Sequence, residues 1–175
     1  MIPQDFIVVT KMEAAERQLT QAILMFFNKQ DAVSIHTLAA SSYQIITDIC
    51  NKQGVIRELE DSEHLEQWGI KKQVLDAVKR PQNFFKHADK DGDDTIKLNP
   101  SLSACLMMSS VQYLIELKRP RTPEYLTFQT WFYLKFPSDL NKEAREIISS
   151  KATNINADDY SLFLESMHNQ RNLET

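Results

Sequence analysis

Apolar residues in this chain return at intervals of three and four, the spacing of a helix face, rather than at the alternate positions of a strand. Over residues 11–29, Met12, Ala15, Leu19, Ala22, Ile23, Phe26 and Phe27 form one such face, while Glu13 and Arg17 sit four apart on another side. Thr10, with Glu13 three residues on, has the spacing of a capping box and sets where the helix starts. A second apolar band, Leu38, Ala39, Ile45, Ile46, Ile49 and Cys50, follows after the short stretch 28–31. Asp31 or Ser34 is its predicted cap and Gly54 its end. So brief a connection predicts an antiparallel hairpin, with Ala39 and Ala40 allowing the two backbones to approach closely.

Shorter pieces follow. An acidic helical stretch is predicted over 55–68, broken at Gly69, and another helix over 70–78. Pro81 interrupts that pattern, so a new short helix is expected from 81 through 88, where proline occupies a first helical position at no cost. A polar loop covers 89–98. Asn99-Pro100 then reads as an N-cap and first residue before Leu102, Cys105, Leu106, Met108, Val111, Leu114, Ile115 and Leu117. Few charges interrupt that run, which predicts the central, nearly enclosed helix. A basic, proline-punctuated turn at 118–123 leads into an aromatic helix over 124–136 that Pro137 stops. A short helix over 142–150 and a last one from a cap at Asn156 to about 169 complete the chain. The brief β-branched run Phe6-Ile7-Val8-Val9 is expected to lie extended across the helices. The expectation is one all-α domain over 1–175, an irregular helical bundle of about seven helices with an N-terminal antiparallel helix hairpin.

Composition agrees. Three glycines against nine phenylalanines leave too few tight-turn residues for a many-stranded sheet. No apolar stretch approaches the roughly 20 residues that span a bilayer, and the N-terminus lacks the pattern of a signal peptide, so no membrane partner is expected. Cys50 and Cys105 fall within apolar helical patterns and are read as buried thiols in a cytoplasmic protein. A formal charge of −4 makes nucleic acid an unexpected partner for the chain as a whole. Locally the charge is divided, however. An acidic stretch over 55–70 adjoins a basic one over 71–90 containing Lys71, Lys72, Lys79, Arg80, Lys86 and Lys90.

The candidate chemistry gathers between Arg80 and Pro100. Asp89, Asp91 and Asp93 alternate like the first half of an EF-hand loop, making residues 89–94 a candidate for Ca²⁺ or another divalent ion. Asp94 stands where the loop's glycine belongs, and Pro100 where its bidentate glutamate belongs. His36, near the start of the second helix, is a further candidate ligand together with His87. In Asn83-Phe84-Phe85-Lys86-His87-Ala88-Asp89, an imidazole beside carboxylates has the makings of a general base. Arg80 and His87 are separated by six residues. That spacing resembles the Arg-x4–6-His motif of the HEPN superfamily, whose members include helical, homodimeric, metal-independent ribonucleases. The resemblance implies that Arg80 stabilises phosphate charge, His87 supports attack by a ribose 2′-hydroxyl, and Asn83 is a polar neighbour. Pro81 departs from the polar residue that pattern has directly after the arginine. The segments 11–19, 34–40 and 83–89 also resemble a family of small uncharacterised bacterial helical proteins, which implies a shared helical core and no particular activity. Three isolated glycines form no phosphate-cradling loop. The expected function is therefore that of a non-enzymatic helical protein, a homodimer or the binder of a protein partner, without a cofactor. A HEPN-like ribonuclease using Arg80, Asn83 and His87, and a weak metal-binding module at 89–94, are the alternatives.

Overall fold

The computed structural model describes residues 6–58, 60–87, 93–137, 143, 146 and 155–173. Among these residues there are seven α-helices and no strand: α1 Lys11–Phe27, α2 Ala32–Gln53, α3 Glu63–Gln67, α4 Lys71–Lys86, α5 Pro100–Glu116, α6 Pro123–Lys135 and α7 Tyr160–Leu173. The fold is an irregular all-α bundle built on the N-terminal hairpin.

The capping box at Thr10 is present in both directions. Glu13 N–H donates to Thr10 Oγ1 at 3.1 Å, and Thr10 N–H donates to Glu13 Oε2 at 2.7 Å. Asp31, rather than Ser34, caps α2: its Oδ1 accepts from Ser34 N–H at 2.8 Å. Gly54 ends α2 in the left-handed conformation, φ +70°, which only a residue without Cβ adopts cheaply. The buried residues of α1 are all apolar, and Ser42 Oγ of α2 donates to the backbone of one of them, Ala15 O, at 2.9 Å.

α5 lies across this hairpin, packing on α2 and α1 and in turn against α6. Nine of its residues are buried, including Leu106, Met107, Val111 and Leu114, which makes it the enclosed helix its low charge predicts. α6 and α7 close the other side through an aromatic cluster. Phe26 of α1 meets Trp131 of α6 with ring centroids 4.6 Å apart, and Phe27 stacks on Phe163 of α7 at 5.4 Å. Such pairs contribute about 1 kcal/mol each beyond their buried area. Trp131 Nε1–H donates to Ala157 O at 2.9 Å, so the cluster's largest ring is also satisfied at its polar edge. Glu124 of α6, buried, accepts from Arg171 Nε of α7 at 2.6 Å.

Five expectations change. The stretch 55–68 is not one helix: only Glu63–Gln67 is helical, capped by Ser62, while Arg57 and Asp61 hold a polar turn before it at 2.7 Å. Pro81 starts no new helix but lies inside α4, which runs unbroken to Lys86. Proline removes one backbone hydrogen bond there and crowds the preceding turn. Pro81 and its neighbour Gln82 are the two buried residues of α4, and that burial offsets part of the cost. The last helix begins at Tyr160, not at Asn156, because Asn156 Oδ1 closes a turn by accepting from Asp158 N–H at 2.9 Å. Cys50 is buried, but Cys105 is exposed on the outer side of α5. Finally, Phe6–Val9 does not pack across the helices: its side chains face solvent. The helix expected over 142–150 falls almost wholly outside the described residues.

Candidate functional site

α4 is the amphipathic basic helix of the fold, packed against α2 and turning Lys72, Lys79, Arg80 and Asn83 to solvent. Because the helix continues through Pro81, Arg80 and Asn83, three residues apart, share one face. Together with Asp76, Lys79, Phe84 and Asp94 they border a cavity of about 570 Å³. His87 is exposed at the C-terminal cap of α4, seven residues beyond Arg80 and so on the side of the helix that Arg80 occupies. The wall carries both signs of charge and a half-buried ring.

The candidate metal ligands are distributed differently. Asp89 and Asp91 lie outside the described residues, and Asp93 is exposed. Asn99 Oδ1 accepts from Ser101 N–H at 3.0 Å, and Pro100 is the first residue of α5. The place of an EF-hand's last ligand is thus given over to starting a helix. His36 is wholly buried, while His87 is at the surface. Among the described residues, no group of three or more His, Cys, Asp or Glu side chains is gathered as a metal requires.

His36 serves as an internal link. Its Nδ1 is 3.0 Å from Ser103 Oγ of α5, and the ring of Phe85 of α4 meets it edge-on with centroids 5.9 Å apart. Its Nε2 is buried and has no hydrogen-bond partner among the described residues. Burial lowers the imidazole pKa, so the ring is neutral at pH 7.

A second polar cluster is not visible in any local motif. Tyr43 Oη–H donates to both carboxylate oxygens of Glu60 at 3.1 Å, and Glu58 N–H donates to Tyr113 Oη at 2.8 Å. These bonds fasten the turn after α2 to both α2 and α5. Burial pushes the Tyr43 phenol well above its ordinary range, and pushes Tyr113 up to about 12, with the Glu60 carboxylate adding to both shifts. Both phenols are held neutral, Tyr43 as a donor to the Glu60 carboxylate and Tyr113 as an acceptor from the backbone of Glu58. The hydrogen-bonded partners are 17 and 55 residues apart in sequence, and only the tyrosines' place in the apolar pattern of their helices hinted that they face inward.

No protein-family model matches this chain, no curated protein matches its sequence, and no solved structure matches its fold.

Proposed function

We propose that this chain is a non-enzymatic helical module of the cytosol that acts through protein contact, with a second copy or with a protein partner. One observation carries the reading. Phe6, Ile7 and Val8 stand 83, 76 and 93% exposed on a segment outside any helix that makes no backbone–backbone hydrogen bond among the described residues. A run of this kind presents apolar side chains and unpaired N–H and C=O groups together, which is what an incoming sheet edge requires. Burying one such side chain is worth about 1.5–3 kcal/mol, so three of them supply useful affinity before any backbone pairing. The internal polar groups add support, because His36 is engaged in joining α2 to α5, and Tyr43, Glu60 and Tyr113 in fastening the turn after α2 to those helices.

The test is a photo-crosslinking residue at position 7 of the full chain, expressed in cells. Adducts of defined mass, lost when Val8→Lys is added, are the expected result. A chain that crosslinks to neither a second copy nor another protein refutes the reading.

A second reading, a HEPN-type ribonuclease, is favoured by the continuity of α4, which gives Arg80, Asn83 and His87 one common side. In that reading Arg80 holds phosphate, His87 assists the 2′-hydroxyl and Asn83 is a polar neighbour, with the sites of two chains converging. Single-stranded RNA incubated with the purified chain in EDTA tests it. Cleavage abolished by Arg80→Ala and by His87→Ala would replace the first reading; intact RNA removes the second.

A further inference from the structure

We infer that the corner between α3 and α4 is a two-fold contact between copies of this chain, with Trp68 of each copy at its centre. The inference rests on the reading of the chain as a protein-contact module and narrows one of its contacts to a second copy. Trp68 is 68% exposed and Ile70 39%. Tryptophan is enriched among the residues that dominate interface energies, and here it stands at the apex of a turn made by Gly69 at φ +67°.

The charges on either side identify the occupant. Before the corner come Glu58, Glu60, Asp61, Glu63 and Glu66 against Arg57; after it come Lys71, Lys72, Lys79, Arg80 and Lys86 against Asp76. Contacts within the chain engage part of this set: Arg57 with Asp61, Lys71 with Glu66, and Tyr43 with Glu60. Glu58 and Glu63 on one limb, and Lys72, Lys79 and Arg80 on the other, are exposed and without an ion pair among the described residues. A two-fold axis through the corner lays each copy's acidic limb on the other's basic limb, so the same complementarity is satisfied twice. A partner of uniform charge would match one limb and be repelled by the other, whereas a second copy matches both. Charge pairing of this kind sets register and association rate, and the tryptophans supply the desolvated centre.

Sedimentation velocity of the full chain, from about 1 to about 200 μM at low and high salt, tests this in the range where transient homodimers form. The expected result is a concentration-dependent dimer that weakens with salt, and that Trp68→Ala weakens about tenfold or more. Because Trp68 is exposed, the variant should melt with the wild type. Glu63→Lys alone and Lys72→Glu alone should each weaken the dimer. Combined in one chain they should restore it, because each reversed limb again faces its opposite. A monomer throughout the range overturns the inference, as does a dimer indifferent to Trp68→Ala. In either case adducts from position 7 to another protein leave the broader reading standing, so the two failures are distinguishable.

Discussion

His36 Nδ1 and Ser103 Oγ stand 3.0 Å apart inside the bundle, joining α2 to α5 across 67 residues of sequence. The ring is sealed from solvent, and burial holds its pKa below the ordinary value of about 6.5. The unfolded chain takes up the imidazole proton at that ordinary value; the folded chain does so only at lower pH. Below about pH 6.5 the unfolded state therefore binds a proton that the folded state does not. The contribution is fully present above that pH and is lost as pH falls toward the folded value, by up to about 1.4 kcal/mol per pH unit. Urea midpoints at about pH 7.5 and about pH 5.5 should fall further for the wild type than for His36→Gln. Equal losses in the two proteins would show that His36 does not govern the acid limb.

Removing one member of the Glu124–Arg171 pair should loosen α7 before the rest of the bundle. Arg171→Ala strands a buried carboxylate; because the arginine is half exposed, the cost is about 2 kcal/mol rather than the larger figure for a fully buried pair. Glu124→Gln, which keeps a hydrogen-bonding group and removes the charge, should cost about half as much. Hydrogen exchange resolved by segment checks both: protection in 160–173 should fall before that in α2.

Replacing Pro81 by alanine should stabilise the protein. An interior proline costs a helix about 3 kcal/mol, and the ring's own burial returns part of this, leaving an expected gain of about 1–2 kcal/mol. A lowered urea midpoint for Pro81→Ala would mean that the ring's packing outweighs the missing backbone bond.

Tyr43→Phe should free the turn after α2. The loss of a hydroxyl that bonds a carboxylate costs about 1.5–3 kcal/mol. Exchange over 55–58 and 60–61 should accelerate first, with the α1–α2 core unaffected until global unfolding. Tyr113→Phe, whose hydroxyl accepts from the backbone of Glu58, should have a smaller effect on the same segment.

Calcium at millimolar concentration should leave the melting temperature unchanged. Asn99 and Pro100 serve as the cap and first residue of α5, so the loop lacks the bidentate ligand that closes an EF-hand. A rise of several degrees would establish a site of different construction.

Local grammar made much of the fold legible. The capping box of Thr10 and Glu13, the Asn99-Pro100 helix start and the apolar faces of α1, α2 and α5 are each written within a few residues, and each forms. Where the sequence misled, longer-range packing decided. Pro81 carries a breaker's signal, yet its burial against the bundle keeps α4 whole. Cys105 belongs to an apolar pattern but falls on the side of α5 that the neighbouring helices leave uncovered. In the candidate region, Arg80, Asn83 and His87 could be proposed from spacing alone, whereas the links from His36 to Ser103 and from Tyr43 to Glu60 depend on tertiary proximity. No local spacing encodes them.

The two tryptophans occupy opposite environments: Trp131 is 3% exposed among aromatic rings, and Trp68 is 68% exposed at a corner. The chain thus carries two fluorophores that report separate events. Trp131 should emit toward the blue and shift red only when the bundle opens. Trp68 should emit toward the red and be quenched by iodide, and it should lose that accessibility when its corner is covered. With Trp68→Phe and Trp131→Phe variants to separate the two signals, association and unfolding can each be followed in the same sample without an added label.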